Sequence, residues 1–118
     1  MNRVRVRRGD IYWVDWSPAR GSEQAGRRPS VIVQTDAGNM NPNYPNTIVA
    51  ALSTTPTHVP THVEVQPSDG NGLSKASWIK CEQLVTISKD RLAGKIGTLD
   101  FDDLQSMNAA IKLALALS

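Results

Sequence analysis

The sequence has one cysteine, two histidines and one phenylalanine, and no uninterrupted apolar run of membrane-spanning length. The lone Cys81 cannot close an internal disulfide or build a cysteine metal site, which fits a reducing, cytoplasmic compartment. A membrane helix needs roughly 20 apolar residues, so no membrane partner is expected. The opening Met-Asn-Arg-Val-Arg-Val-Arg-Arg also lacks the apolar stretch of a secretion signal. His58 and His62 flank Pro60, which forbids the helix that would set both rings on one face, and no carboxylate cluster accompanies them. Neither a metal nor a cofactor is expected.

What is present is a globular composition: 118 residues, 40% hydrophobic and 20% charged, enough for a single domain with its own core. The net charge of +2 is unevenly spread. Seven arginines fall in the first 28 residues against Asp10, Asp15 and Glu23, so that end carries +4 and the remainder −2. Charge alone leaves two readings open, a phosphate-bearing partner or a solvated arm.

Residues 11–16 are β-branched and aromatic and form the first expected strand. Residues 19–28 hold two glycines and no period, which reads as a long loop. Strand character resumes over 30–35, residues 36–46 read as a connector, and 47–53 form a continuous apolar run suited to a strand covered on both faces. The Pro-Thr-His-Val unit at 56–59 and again at 60–63 is a local duplication. Further strands are expected at 62–66, 77–85 and 94–98. Leu104, Met107, Ile111, Ala114 and Leu115 follow helical spacing, with Thr98 or Asp100 as the N-terminal cap, so the segment 99–117 closes the chain as a helix. Short strands followed by one amphipathic helix argue for a mainly β, partly closed small barrel packed by that helix, with apolar surface left for a second copy.

The segment Gly21-Ser22-Glu23-Gln24-Ala25-Gly26-Arg27-Arg28-Pro29 carries the most chemistry. Its glycines allow close backbone approach, its arginines present forked donors suited to phosphate, and Glu23 can orient one of them; a merely solvated loop is the competing reading. Arg28 is the better placed arginine, because a residue before proline is held extended at the mouth of the next strand. Ser53, at the exit of the apolar run, can offer a hydroxyl to a phosphoryl oxygen or simply end the strand, and Thr54 shares that ambiguity. Imidazole suits acid and base work near neutrality, yet His58 reads as a loop residue and His62 as a strand residue with a satisfied ring. Trp13 reads as a core or subunit-interface residue, Trp16 is left open, and Cys81 has no basic neighbour in sequence to activate its thiol.

Taken together, Arg8-Gly9-Asp10-Ile11-Tyr12-Trp13-Val14-Asp15, Ser17-Pro18 and the Gly21 to Pro29 segment resemble the N-terminal signature of the MazF/PemK family of toxin endoribonucleases. The resemblance continues through 47–53, 60–65 and 82–87 to the C-terminal helix, and so covers 8–117. It implies one domain over 1–118, with a basic arm at 1–7 and an SH3-like small β-barrel of the CcdB/PemK type. It also implies a homodimer that cleaves single-stranded RNA without metal, leaving 2′,3′-cyclic phosphate and 5′-hydroxyl ends, and a cognate MazE-like antitoxin whose acidic tail blocks the site. Residue by residue, the family's catalytic arginine falls on Arg28, its hydroxyl residue on Ser53 and its loop glutamate on Glu23. RNA contacts are implied at Gln24, Arg27, Thr54 and Gln83. Many members carry threonine where this chain has Ser53, so the hydroxyl is kept and the methyl lost. The same barrel serves gyrase-binding CcdB toxins, and an inactive RNA-binding module is a third possibility. The 23–29 segment belongs to the RNA-cleaving branch.

Overall fold

The computed structural model describes residues 5–16 and 26–118. Six strands, β1 (Asp10–Asp15), β2 (Arg27–Ile32), β3 (Asn46–Ser53), β4 (His62–Val65), β5 (Ser77–Ser88) and β6 (Leu92–Thr98), form one antiparallel sheet in the order β4-β5-β3-β2-β1-β6. A single turn of helix, α1 (Asp36–Asn39), precedes β3, and α2 (Phe101–Ala114) closes the fold. This is the expected class, mostly antiparallel sheet with a C-terminal helix. Among the described residues the sheet is open, with β4 and β6 at its edges. No helix of the described residues is long and apolar enough to cross a membrane.

Alternation along the strands gives the sheet two apolar faces. Ile11, Val31, Ala50, Leu52, Val65, Ile79 and Cys81 pack on one face with Met107 and Ala110 of α2. Val6, Tyr12, Val14, Ile32, Val49, Ile87 and Leu92 make a smaller cluster on the other, against which Trp16 rests. Val6 is fully buried there, so the basic arm enters the fold at that residue, with Arg5 and Arg7 exposed on either side of it.

Three local expectations are corrected. Strand β2 runs from Arg27 to Ile32 instead of 30–35, because Arg27 and Arg28 pair with Asp15 and Val14 of β1. These two arginines therefore stand on a strand and not in the loop. The 36–46 connector contains α1, held by side-chain bonds that hydrophobic patterning does not reveal: Thr47 Oγ1 donates to Asn39 Oδ1 at 2.7 Å, and Asn39 and Gln34 exchange bonds of 2.8 and 3.0 Å. Lys89 reaches back to donate to the carbonyls of Gly38, Asn41 and Tyr44 at 3.1, 3.2 and 2.6 Å, fixing the same connector from below. Strand β5 continues past 85 to Ser88, where the Asn46 pairing extends it. Helix α2 begins after Asp100, which occupies the cap position without a side-chain bond to the helix.

Candidate active site

The geometry of the site follows from the register between β2 and β3. The pairs Ser30↔Ala51, Val31↔Ala50 and Ile32↔Val49 form an antiparallel ladder. Carried two residues further, it sets Arg28 opposite Ser53, at the end of the sheet where the β1–β2 loop leaves. The face is fixed independently, since Arg28 pairs with Val14 of the smaller cluster and Ser53 lies four residues beyond Val49 of that cluster. Residues two apart on a strand share a face, so both side chains project from the side away from α2. Arg28 is exposed and Ser53 half-buried.

Ser53 is also held locally. Its Oγ accepts from the Thr55 backbone N–H at 3.1 Å, a short turn that leaves the hydroxyl hydrogen free to be donated elsewhere. Its other neighbour across the sheet is Trp78 of β5, which is 7% exposed. Trp16 N–H donates to Gly26 O at 3.0 Å and closes the base of the loop beside Arg28.

The remaining sequence-predicted positions divide. Gln83 stands on β5, exposed, two residues from Val85, which pairs with Val49; it therefore shares the Arg28 face, and its amide donates to Glu82 Oε2 at 3.3 Å. Arg27 lies opposite Asp15 and, one residue from Arg28, belongs to the other face. Thr54 is exposed just beyond β3 and turns to that same other side, where it lines a cleft with Trp13 and Pro29. Glu23 and Gln24 lie outside the described residues. Trp13 is corrected from the core reading: it is 43% exposed, because Gly94 opposite it has no side chain to cover the ring.

Two features beside the site were not found from sequence. Lys80 pairs with His62 and alternates with Trp78, which puts a cation on the Arg28 face. Only the register across β3, β5 and β4 reveals this. The second is a network around His62, whose side chain is 9% exposed. Its Nε2 is 2.9 Å from Glu82 Oε2 and its Nδ1 is 2.5 Å from Thr57 Oγ1, while Thr61 Oγ1 donates to Glu82 Oε1 at 3.0 Å. The threonine of the first Pro-Thr-His-Val unit thus meets the histidine of the second. Both ring nitrogens are occupied, as the satisfied-ring reading expects. Burial pushes the Glu82 carboxyl up, but hydrogen bonds from His62, its own backbone and Thr61, with the charge of His62, outweigh this and hold it at about 2. Glu82 is therefore a fixed negative charge, too weak a base to take a proton from a ribose hydroxyl. Cys81 is fully buried, and burial together with the Glu82 charge pushes its thiol up to about 11, which leaves it inert.

Known proteins are similar to this chain in sequence and in fold. The family model described as PemK-like, MazF-like toxin of type II toxin-antitoxin system matches residues 7–115. The chain belongs to that toxin family. The toxin is 43% identical over 114 residues to Endoribonuclease MazF of Staphylococcus saprophyticus, covering 95% of this chain and 92% of that one. Among solved structures it resembles a mycobacterial endoribonuclease in complex with its cognate antitoxin, with a TM-score of 0.80 at 26% identity, covering 96% and 97% of the two chains. It shares its fold with MazF from Deinococcus radiodurans, at a TM-score of 0.76 and 18% identity, over 98% of this chain and 100% of that one.

Proposed function

We propose that this toxin is an endoribonuclease that cleaves single-stranded RNA at a short sequence motif, without metal, through Arg28 and Ser53. The observation that carries the reading is the β2–β3 ladder, whose continuation beyond Ser30↔Ala51 brings a guanidinium and a hydroxyl to one end and one face of the sheet. The name of the 43% identical relative supports the same activity.

The chemistry follows from those two groups. The ribose 2′-oxygen attacks phosphorus, its proton passes to water, and the bond to the 5′-oxygen breaks to leave a 2′,3′-cyclic phosphate and a 5′-hydroxyl. The phosphorane in between carries extra negative charge, which fixed donors stabilise most where they need not reorganise. Guanidinium has a pKa above about 12 and is protonated at rest, so Arg28 acts by charge, and it yields a proton only to the strongly basic 5′-alkoxide as that leaves, regaining the proton from solvent. Ser53 donates its hydroxyl hydrogen to a phosphoryl oxygen. Glu23 orients Arg28, while Gln24, Arg27, Thr54 and Gln83 contact the RNA.

The toxin works in the cytoplasm as a single domain over 1–118 and as a homodimer. Phe101, Leu113, Leu115 and Leu117 on and after α2 leave apolar area for a second copy, at 72%, 58%, 52% and 58% exposure. A cognate antitoxin with an acidic tail is the expected inhibitor, as the mycobacterial relative was solved with its antitoxin and Arg28 and Lys80 share one face of the sheet.

The test is incubation of the purified toxin with long single-stranded RNA in EDTA, with mapping of the cut ends. Cleavage with 5′-hydroxyl ends is expected, and Arg28→Ala should lower it by about 10³-fold or more. Intact RNA, or an Arg28→Ala variant as fast as its parent, overturns the reading.

A further inference from the structure

Trp13 is 43% exposed although its neighbours Tyr12 and Val14 are buried at 5% and 0%. A large apolar group left in solvent at mid-strand is informative in a way that a scattered surface leucine is not. Its indole forms one wall of a cleft of about 230 Å³, which Pro29, Thr54, Leu73, Lys75 and Ile96 also line. Clefts that take drug-sized molecules run to roughly 300–1,000 Å³. This one is sized for a single flat ring.

The far wall of the cleft is fixed in advance. Asn71, fully buried, accepts from the backbone N–H groups of Ser68 and Leu73 at 3.0 and 2.9 Å and donates to Gln66 O at 2.8 Å. Gly72 beside it has φ +68°, and a Cβ there would lie 2.2 Å from the Ile96 carbonyl oxygen. The turn that carries Leu73 is thereby pressed onto β6, which lowers the ordering cost a ligand has to meet.

Position and chemistry select the occupant. Pro29 and Thr54 immediately follow Arg28 and Ser53 in sequence, so the cleft opens at the end of the sheet that holds the pair, on the opposite face. An aromatic plane, an apolar floor, the hydroxyls of Thr54, Ser74 and Ser77 and one ammonium match an unpaired base stacked on indole with its phosphate near Lys75. We propose that this cleft binds one unpaired base of the RNA strand adjacent to the scissile phosphate, and that Trp13 is a specificity-determining residue of the toxin. The proposal rests on the endoribonuclease reading for its substrate. The neutral floor and small volume favour a base over a peptide side chain or a second copy of the chain.

The experiment compares the parent, Trp13→Ala, Trp13→Phe and Lys75→Ala, each checked for an unchanged melting curve. Binding is read as fluorescence anisotropy of a short labelled 2′-O-methyl RNA of mixed sequence, which cannot be cut, and cleavage as the distribution of cut ends on a mixed RNA pool. Trp13→Ala should bind about tenfold or more weakly, the scale of one lost base stack, and should lose the base preference at one position of the motif. Trp13→Phe should restore both, and Lys75→Ala should weaken binding without altering the motif. Equal binding and an unchanged motif in Trp13→Ala overturn the cleft while the endoribonuclease reading stands. A Trp13→Ala protein that sediments as a monomer where the parent is a dimer assigns the cleft to a second copy and also overturns it. If the parent binds the oligonucleotide through Trp13 but leaves RNA intact, the cleft stands and the endoribonuclease reading falls.

Discussion

The two faces of the sheet are built from the same strands and end differently. The face under α2 is apolar from Ile11 through Ala50 and Leu52 to Cys81, where the helix contributes Met107 and Ala110, and it turns polar only at the end that carries Arg27 and Thr54. The opposite face is apolar only in its lower half, around Tyr12, Ile32 and Val49. Above that half the same strands present Arg28, Ser53, Lys80 and Gln83. The difference teaches where reactive groups can stand in so small a domain: the core under the helix supplies rigidity, and the place where the other core stops supplies a charged surface held by rigid strands.

Three measurements would break or sharpen that division. Met107→Ala removes a fully buried side chain from the helix face, and should cost about 2 to 5 kcal/mol in urea unfolding, with cleavage per folded molecule unchanged. A folded Met107→Ala protein that cuts poorly would mean the faces are not separable. Ser53→Ala should do the reverse, lowering cleavage about a hundredfold at an unaltered unfolding midpoint, while Ser53→Thr keeps the rate near that of the parent. The smallest effect is expected from Glu82→Gln. The native carboxyl sits at about 2 against an ordinary 4.5, so its contribution is complete above about pH 4.5 and is lost as the pH falls toward 2. The variant should therefore lose less stability over that interval than the parent does, by a modest margin, because the carboxylate is partly exposed and solvent-screened. Identical acid unfolding curves for the two would show that the His62 network does not hold this charge in solution.

Much of the fold was legible because its signals are local. The β-branched run at 47–53 and the helical spacing of Leu104, Met107 and Ile111 each report their own backbone state. Arg28 and Ser53 were legible as candidates through a local signature, although their common face was not. What escaped depends on specific side-chain and strand partners. Helix α1 depends on Asn39 meeting Thr47 and on Lys89 returning from far along the chain. The place of Arg27 and Arg28 on β2 depends on pairing with Asp15 and Val14. The exposure of Trp13 depends on a glycine across the sheet that lies far from it in sequence. Hydrophobic periodicity records which residues prefer burial, and it cannot record which partner strand lacks the side chain to provide it.

The irregularity in β5 has a consequence for how this chain tolerates changes of length. Between the pairs Ala50↔Leu84 and Leu52↔Ile79, β3 advances by two residues while β5 moves by five. The surplus of three is odd, so the in–out alternation inverts within the strand. Leu84, Cys81 and Ile79 all reach the helix side, while Gln83 and Lys80 stand together on the other. Deleting one residue between 80 and 84 would leave four steps from Ile79 to Leu84, so unbroken alternation would keep both on the helix side and Lys80 on the other, whereas removing two would leave three steps and still require the inversion. In this stretch the toxin counts its residues by parity, and the loss of one keeps its inside and outside apart without the irregularity.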